Sequence, residues 1–131
     1  MILLVEDSED DVLFLRRAFK KAGVEAPLQV AYDGLEAVER LSAAPPSHVL
    51  LDLKLPKKSG LEILEWMRGR PDLASISVII LTSSREKSDV DRARALGIDD
   101  YCVKPVSFTE LVALVRKIAE MWRLPLAQPA R

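Results

Sequence analysis

Acidic, hydroxyl and basic side chains follow four short apolar runs of the sequence, each at the point where the run ends. These side chains are Glu6, Asp7, Asp52, Thr82 and Lys104. Carboxylates about 4 Å apart repel one another by roughly 1–4 kcal/mol, depending on the local dielectric. A hard divalent cation removes that penalty, and Mg²⁺ prefers carboxylate, water and phosphate oxygens as ligands. If the chain brings the three carboxylates together, we expect a magnesium site there.

The same set of residue types suits phosphoryl transfer. Once the cation offsets the carboxylates, the Lys104 ammonium can neutralise one phosphoryl oxygen and the Thr82 hydroxyl can donate a hydrogen bond to another. Positioning and charge neutralisation of this kind are what phosphoryl transfer requires. A carboxylate can itself accept the phosphoryl group. Asp52 is the best placed acceptor, because it follows the run that we assign to the central strand.

Five apolar runs alternate with amphipathic stretches and predict the elements that position these residues. The runs are Ile2–Val5, Leu28–Tyr32, Val49–Leu51, Val78–Leu81 and Tyr101–Val103. The first, third and fourth are continuous, as in strands covered on both faces, whereas the second alternates and the fifth is short, as at sheet edges. The pattern predicts an α/β fold with a doubly wound five-stranded parallel sheet, order 2-1-3-4-5, and helices on both faces, flavodoxin-like. Ligands bind outside the carboxyl ends of such strands, where the polar side chains should converge.

Apolar residues three and four positions apart predict a helix after each strand. Asp33 is expected to cap the second helix, with Glu36 as its capping-box partner. Gly23 and Gly97 are expected to end the first and fourth helices. The fifth helix is predicted over Phe108–Trp122.

Length and composition limit the classes of function. The chain has 131 residues, 49% hydrophobic and 30% charged, which predicts one globular domain over 1–122 and a tail over 123–131. A net charge of −1 provides no general attraction to DNA or to an anionic membrane. The single cysteine excludes an intramolecular disulfide, and no apolar run approaches the roughly 18 residues of a membrane span. We therefore expect a cytoplasmic protein that neither binds DNA directly nor enters a membrane.

The segments after the strands resemble those of receiver domains of two-component response regulators over residues 1–122. They are Val5-Glu6-Asp7, Leu51-Asp52-Leu53-Lys54-Leu55-Pro56 with Gly60, Leu81-Thr82-Ser83-Ser84 and Tyr101-Cys102-Val103-Lys104-Pro105. Each segment is a weak motif alone, but together, in this order and each after a strand, they are specific. The resemblance implies a stand-alone signalling phosphoacceptor rather than an enzyme that turns over a metabolite. A histidine kinase or a small phosphodonor would transfer a phosphoryl group to it.

The resemblance implies a metal site with assigned ligands. Asp52 would be the phosphoacceptor, and Asp7 and Asp52 would bind Mg²⁺ directly together with the backbone carbonyl of Lys54. Glu6 would act mainly through a metal-bound water. Lys54 and Ser84 occupy two variable positions that in this family tune the lifetime of the phosphoryl group.

The resemblance also implies a conformational switch. Thr82 and Lys104 would contact the phosphoryl oxygens, and Tyr101 would turn inward when Thr82 moves. The peptide bond before Pro105 would be cis and would help to aim Lys104.

Some features resemble the receivers that are partnered with bacterial phytochromes. They are the loop Leu55–Gly60, the absence of an output domain and an extended last helix ending in Trp122. A bacteriophytochrome kinase would then be the phosphodonor, and a downstream protein partner would complete the phosphorelay. The fifth helix carries a second apolar shoulder at Leu114 and Met121. An apolar shoulder in water favours an interface, here a homodimer through helix 4, strand 5 and helix 5.

Three other functions compete with this interpretation. A phosphatase of the haloacid dehalogenase class shares the aspartyl nucleophile but needs a second Asp two residues later, where this chain has Lys54. A flavodoxin-like cofactor binder needs Ser, Thr and Gly in its first loop, but residues 6–11 are mostly acidic and would repel a phosphate. A receiver-like binding module insensitive to phosphorylation has no need of the acidic set, and the intact set argues against it.

Overall fold

The structure, a computed structural model, describes residues 1–127. The described residues form two compact units, Met1–Asp7 with Leu28–Lys104, and Ser8–Pro27 with the chain from Pro105 onward. The strands are β1 Ile2–Val5, β2 Leu28–Ala31, β3 His48–Leu51, β4 Ser77–Thr82 and β5 Asp100–Val103. The helices are α1 Glu9–Lys21, α2 Gly34–Ala43, α3 Gly60–Arg68, α4 Lys87–Leu96 and α5 Phe108–Trp122. Residues 128–131 of the predicted tail lie outside the described residues.

The larger unit contains a parallel sheet with the strand order β2-β1-β3-β4-β5, which confirms the predicted order. Val5 of β1 pairs with Leu51 of β3, and Thr82 of β4 pairs with Val103 of β5. Because these strands are parallel and in register, the residues that follow them leave the sheet at the same edge.

The three continuous apolar runs are buried, as predicted for strands covered on both faces. Every residue of β1 is at most 2% exposed, and so are Val49–Leu51 of β3 and Val78–Ile80 of β4. Side chains of the sheet pack with those of α2 and α3 in one hydrophobic core, to which Leu41, Ile63 and Met67 contribute. This core fixes the strand ends that carry the polar residues.

The helix starts differ from the predictions in one respect. Asp33 caps α2 as predicted, and its carboxylate accepts a hydrogen bond from the Glu36 backbone at 2.8 Å. The Glu36 side chain, however, accepts from the Tyr32 backbone at 3.3 Å and not from the N-cap residue, so the predicted capping box is incomplete. The complete capping box lies at the start of α3, where Ser59 and Glu62 cap each other's backbone.

The guanidinium of Arg68, at the end of α3, ties two loops of the larger unit together. It donates to the carbonyls of Ala74 at 2.9 Å and Ile76 at 3.0 Å. It also donates to those of Leu96 at 3.1 Å and Gly97 at 2.7 Å, at the C-terminus of α4. Burial lowers the pKa of Arg68 from its ordinary value. A cation at a helix C-terminus also stabilises the helix dipole.

The smaller unit pairs α1 with α5. The bounds of α5 are those predicted. Beyond α5 the chain turns at Arg123, which has a left-handed conformation with φ 52°. Leu126 then forms an antiparallel bridge with Val24. The described part of the predicted tail therefore pairs with the segment that follows α1.

Across residues 1–127, no helix has both the length and the apolar character that a membrane crossing needs.

Candidate functional site

The sheet places two carboxylates side by side at the ends of β1 and β3. The backbone N–H of Asp52 donates to the Val5 carbonyl at 3.0 Å, and that of Glu6 donates to the Ala31 carbonyl at 3.0 Å. These bonds continue the sheet for one residue beyond the strands. Glu6 is 1% exposed and Asp52 4% exposed, whereas Asp7 is exposed.

Three groups converge on the Asp52 carboxylate. Its Oδ1 accepts from the Thr82 hydroxyl at 2.7 Å and from the Lys54 backbone N–H at 3.1 Å. Its Oδ2 accepts from the Lys104 ammonium at 2.8 Å. A buried carboxylate is stable only with such partners, because burial removes its water. The structure thus brings together the predicted acceptor, hydroxyl and ammonium from β3, β4 and β5.

Lys104 bridges two carboxylates. Its Nζ lies 2.6 Å from Oε2 of Glu6 and 2.8 Å from Oδ2 of Asp52, and its side chain is 21% exposed. One ammonium cannot neutralise both of these carboxylates and Asp7 as well. The site therefore keeps an excess of negative charge, which favours a bound cation.

The acidic residues of the site fit a divalent cation. One carboxylate oxygen each from Glu6, Asp7 and Asp52 lie within 4.8 Å of one another. Oxygen donors of this kind are the ligands that Mg²⁺ prefers, and the exposure of Asp7 leaves room for the waters that Mg²⁺ retains. The Lys54 backbone adjoins Asp52 through its N–H, and its carbonyl as a metal ligand stays a prediction.

Thr82 and Tyr101, the two predicted switch residues, are linked through Ser84. The Ser84 N–H donates to Oγ1 of Thr82 at 3.5 Å, and the Tyr101 hydroxyl donates to the Ser84 carbonyl at 3.0 Å. Thr82 and Ser84 are buried and Tyr101 is half-buried. Burial, the largest cause, raises the pKa of Tyr101 above its ordinary value. The ring of Tyr101 is therefore anchored by its hydroxyl to the loop that follows Thr82.

Sequence reasoning missed a contact beside this loop. The Ser84 hydroxyl donates to Oδ2 of Asp89 at 2.5 Å, and its oxygen accepts from the Glu86 N–H at 3.3 Å. Asp89 lies in the first turn of α4, where an acidic residue is expected on general grounds. An acid at a helix start is so common that it provides no signal for this contact.

Gly60 is a positional requirement of the site. A Cβ on Gly60 would lie 2.2 Å from the Asp52 carbonyl oxygen and 2.7 Å from Cα of Leu53. No side chain fits between the start of α3 and the backbone of Asp52 and Leu53. The motif that contains Gly60 is visible in the sequence, but its steric cause is visible only in the structure.

The prediction of a cis peptide bond before Pro105 is wrong. Residues 1–127 contain no cis peptide bond, so the Lys104–Pro105 bond is trans. Trans is the isomer that X–Pro bonds favour by about 0.5–1 kcal/mol. Lys104 reaches Asp52 and Glu6 with this bond trans.

Comparison with known proteins decides the family. The response regulator receiver domain family matches residues 2–116. The chain belongs to this family. Response regulator Rcp1 of Synechocystis sp. is 34% identical over 99% of this chain and 93% of the relative.

Three solved structures of receivers are similar to this one. The Mn²⁺-bound form of Rcp1 has a TM-score of 0.85 and 34% identity, and the match covers 98% of both chains. The phosphorylated cyanobacterial phytochrome response regulator RcpA has a TM-score of 0.86 and 32% identity, covering 95% of this chain and 96% of that one. The bacteriophytochrome response regulator AtBRR has a TM-score of 0.76 and 37% identity, covering 99% of this chain and 96% of that one.

These likenesses confirm the predicted flavodoxin-like α/β fold and the predicted family. The chain is a response regulator receiver, homologous to phytochrome-linked regulators, and belongs to a signalling family rather than to a class of metabolic enzymes. Membership in this family removes the phosphatase and the flavodoxin-like cofactor binder from the alternatives.

Proposed function

We propose that this receiver is a phosphoacceptor switch in which Asp52 takes a phosphoryl group from a sensor histidine kinase. The observation that carries the proposal is the convergence of Thr82 and Lys104 on the two oxygens of one buried carboxylate, at 2.7 and 2.8 Å. A carboxylate that only stabilised the fold would need neither a hydroxyl and an ammonium from two further strands nor two more acids beside it.

The metal component of the proposal rests on the acidic set. Asp7, Asp52 and the Lys54 backbone carbonyl would hold Mg²⁺, and Glu6 would contribute through a water. Bound Mg²⁺ supplies the positive charge that allows a phosphoryl group to approach an anionic site. The Mn²⁺-bound form of the similar Rcp1 supports a divalent cation here.

The residues of the chain account for the transfer itself. A carboxylate oxygen of Asp52 attacks phosphorus, an O–P bond forms, and the bond from phosphorus to the donor's nitrogen or oxygen breaks. The Lys104 ammonium and the Thr82 hydroxyl, which now bind Asp52, can then bind the new phosphoryl oxygens. In this way the domain promotes its own phosphorylation, and hydrolysis of the acyl phosphate resets it.

The switch follows from the change of partner. Thr82 contacts Asp52 in the unmodified protein and must move when its hydroxyl follows a phosphoryl oxygen. Ser84 contacts Thr82 through its N–H and Tyr101 through its carbonyl, so both respond to that movement. A modification that binds two conformations differently shifts the equilibrium between them.

The partners are proposed from the relatives. RcpA and AtBRR are phytochrome response regulators, which supports a bacteriophytochrome as the kinase for this chain.

A downstream protein partner, a cytoplasmic location and a homodimer through α4, β5 and α5 stay predictions. We also retain residues 1–122 as the receiver domain and 123–131 as its tail. Sedimentation with and without a phosphoryl mimic tests the homodimer, and a monomer in both conditions would contradict it.

The remaining alternative, a receiver-like binding module insensitive to phosphorylation, is separated from the switch by the response of Tyr101. Beryllofluoride with Mg²⁺ mimics the phosphoryl group at a carboxylate. We expect it to shift the ring resonances of Tyr101 in the wild type, and to shift them much less in Thr82→Ala. Saturable binding of beryllofluoride without any change at Tyr101 would favour the binding module.

A further inference from the structure

Ser84 uses all of its polar groups. Its N–H contacts the Thr82 hydroxyl, its carbonyl accepts from Tyr101, and its own hydroxyl donates to Asp89 while accepting from the Glu86 N–H. The side chain is 3% exposed, so water cannot replace a lost partner. Any group that holds the Ser84 hydroxyl therefore also holds the contacts to Thr82 and Tyr101.

The first turn of α4 depends on this serine. The N-cap residue of α4, Glu86, makes no side-chain capping bond, and Ala93 is the only residue of the helix that is buried. The Ser84 hydroxyl oxygen, two residues before the N-cap, accepts from the Glu86 N–H. Without this contact, that N–H would have only water as a partner. Local stability falls where few apolar contacts are buried, so polar contacts carry more of the anchoring of α4.

The Asp89 carboxylate completes the anchor. It is the third residue of α4 and reaches back to the Ser84 hydroxyl with an O···O distance of 2.5 Å. This distance is typical of a hydrogen bond to an ionised carboxylate, which is about twice as strong as a neutral one. The contact arises from one side chain in the loop and one in the helix, so it joins the loop to α4.

We propose that Asp89 is a positioning residue that couples Thr82 and Tyr101 to α4 by holding the Ser84 hydroxyl. The contacts run without a gap from Asp52 to Thr82, from Thr82 to Ser84, and from Ser84 to Asp89. The inference rests on the proposed function, because it names the route by which the state of Asp52 reaches α4.

The test measures amide hydrogen exchange over Lys87–Leu96 in the full chain, with and without acetyl phosphate and Mg²⁺. The change in exchange is expressed per phosphorylated molecule, counted by intact mass. In Asp89→Ala we expect this change to fall about fivefold or more relative to the wild type, the lower end of ordinary coupling between sites. Asp91→Ala is the matched control, because it removes another α4 carboxylate that pairs with Lys87 and makes no bond to Ser84.

Asp89→Asn separates positioning from a simple charge effect. The amide oxygen can still accept from the Ser84 hydroxyl, so Asn should keep a substantial part of the response that Ala loses. If Asp89 acted only through its charge on the helix dipole, the exchange response would fall equally in both variants, because both remove that charge. Equal losses in Asn and Ala, or a full wild-type response in Ala, would overturn the proposal.

Failure of the proposed function is distinguishable from failure of this inference. If the wild type takes up no phosphoryl group, the proposed function fails and the coupling is judged in the unmodified protein. Thr82→Ala and Asp89→Ala should then each increase the exchange rate of α4 amides. In the double variant the rate should increase by a factor smaller than the product of the two single factors. Effects that multiply independently would overturn the inference.

Discussion

The ammonium of Lys104 lies 2.8 Å from the carboxylate of Asp52 and 2.6 Å from that of Glu6. Lys104 therefore neutralises part of the negative charge that would attract a metal ion. Its ammonium is also the positive charge that a phosphoryl group on Asp52 would need. If Asp52 accepts a phosphoryl group as proposed, the Lys104 side chain has to rearrange toward the new oxygens. Before that, its positive charge is expected to weaken cation binding.

Removal of this ammonium should strengthen magnesium binding. In Lys104→Met the acidic set loses its nearby positive charge, so we expect the Mg²⁺ dissociation constant to fall by about fivefold or more, from one charge acting at short range. Calorimetric titration measures it. Lys87→Met is the control, because Lys87 is an exposed lysine of α4 that pairs with Asp91. Equal or weaker Mg²⁺ binding in Lys104→Met would contradict this electrostatic account.

Replacement of Gly60 by alanine should destabilise the fold and displace the Asp52 backbone. The Cβ of Gly60→Ala would overlap the Asp52 carbonyl, so the free energy of unfolding should fall by about 1–3 kcal/mol, as for overpacking. Phosphorylation by acetyl phosphate should slow as the acceptor shifts. Gly69→Ala is the matched control, because its Cβ would be 3.6 Å from the nearest atom, an ordinary contact. Denaturant unfolding of both variants checks this, and equal stability would show that the close approach is not limiting.

Tyr101 should ionise late in an alkaline titration. Burial raises its pKa above 10.0, so the folded protein keeps the neutral phenol where the unfolded chain has lost its proton. The stability that depends on this neutral form is therefore present below about pH 10 and is lost as the pH rises above it. In Tyr32→Phe, where Tyr101 is the single tyrosine, the alkaline absorbance titration should have its midpoint above pH 10. A midpoint at or below pH 10 would refute the prediction.

His48, the one histidine of the chain, should become charged only below its ordinary pKa of 6.5. Burial lowers this pKa first, and the positive N-terminus lowers it further. The unfolded chain therefore binds a proton more readily, and stability should fall as the pH drops below about 6.5. The imidazole resonances of His48 report the pKa directly. A titration midpoint above 6.5 would contradict the prediction.

The site was predictable because register in a parallel sheet converts sequence order into position. Polar residues directly after apolar runs had to meet at one edge, and Asp52, Thr82 and Lys104 do so. The contact of Ser84 with Asp89 and the four carbonyl contacts of Arg68 were not predictable, because they depend on how loops and helix ends meet in space. The spacing of Asp33 and Glu36 predicts a capping box at α2, whereas the complete one lies at α3, for a similar reason. The Glu36 carboxylate pairs with Arg40 and accepts from the Tyr32 backbone N–H. These contacts compete with the capping box, and residue spacing alone does not reveal them.

Intact mass after incubation with acetyl phosphate and Mg²⁺ reports directly whether Asp52 is a metal-dependent phosphoacceptor. We expect one added phosphoryl group on the wild type, and none when EDTA is present during the incubation or when Asp52 is replaced in Asp52→Asn. Addition of a phosphoryl group to Asp52→Asn at the wild-type level would contradict Asp52 as the acceptor. Labelling that EDTA leaves unchanged would contradict the role assigned to the metal.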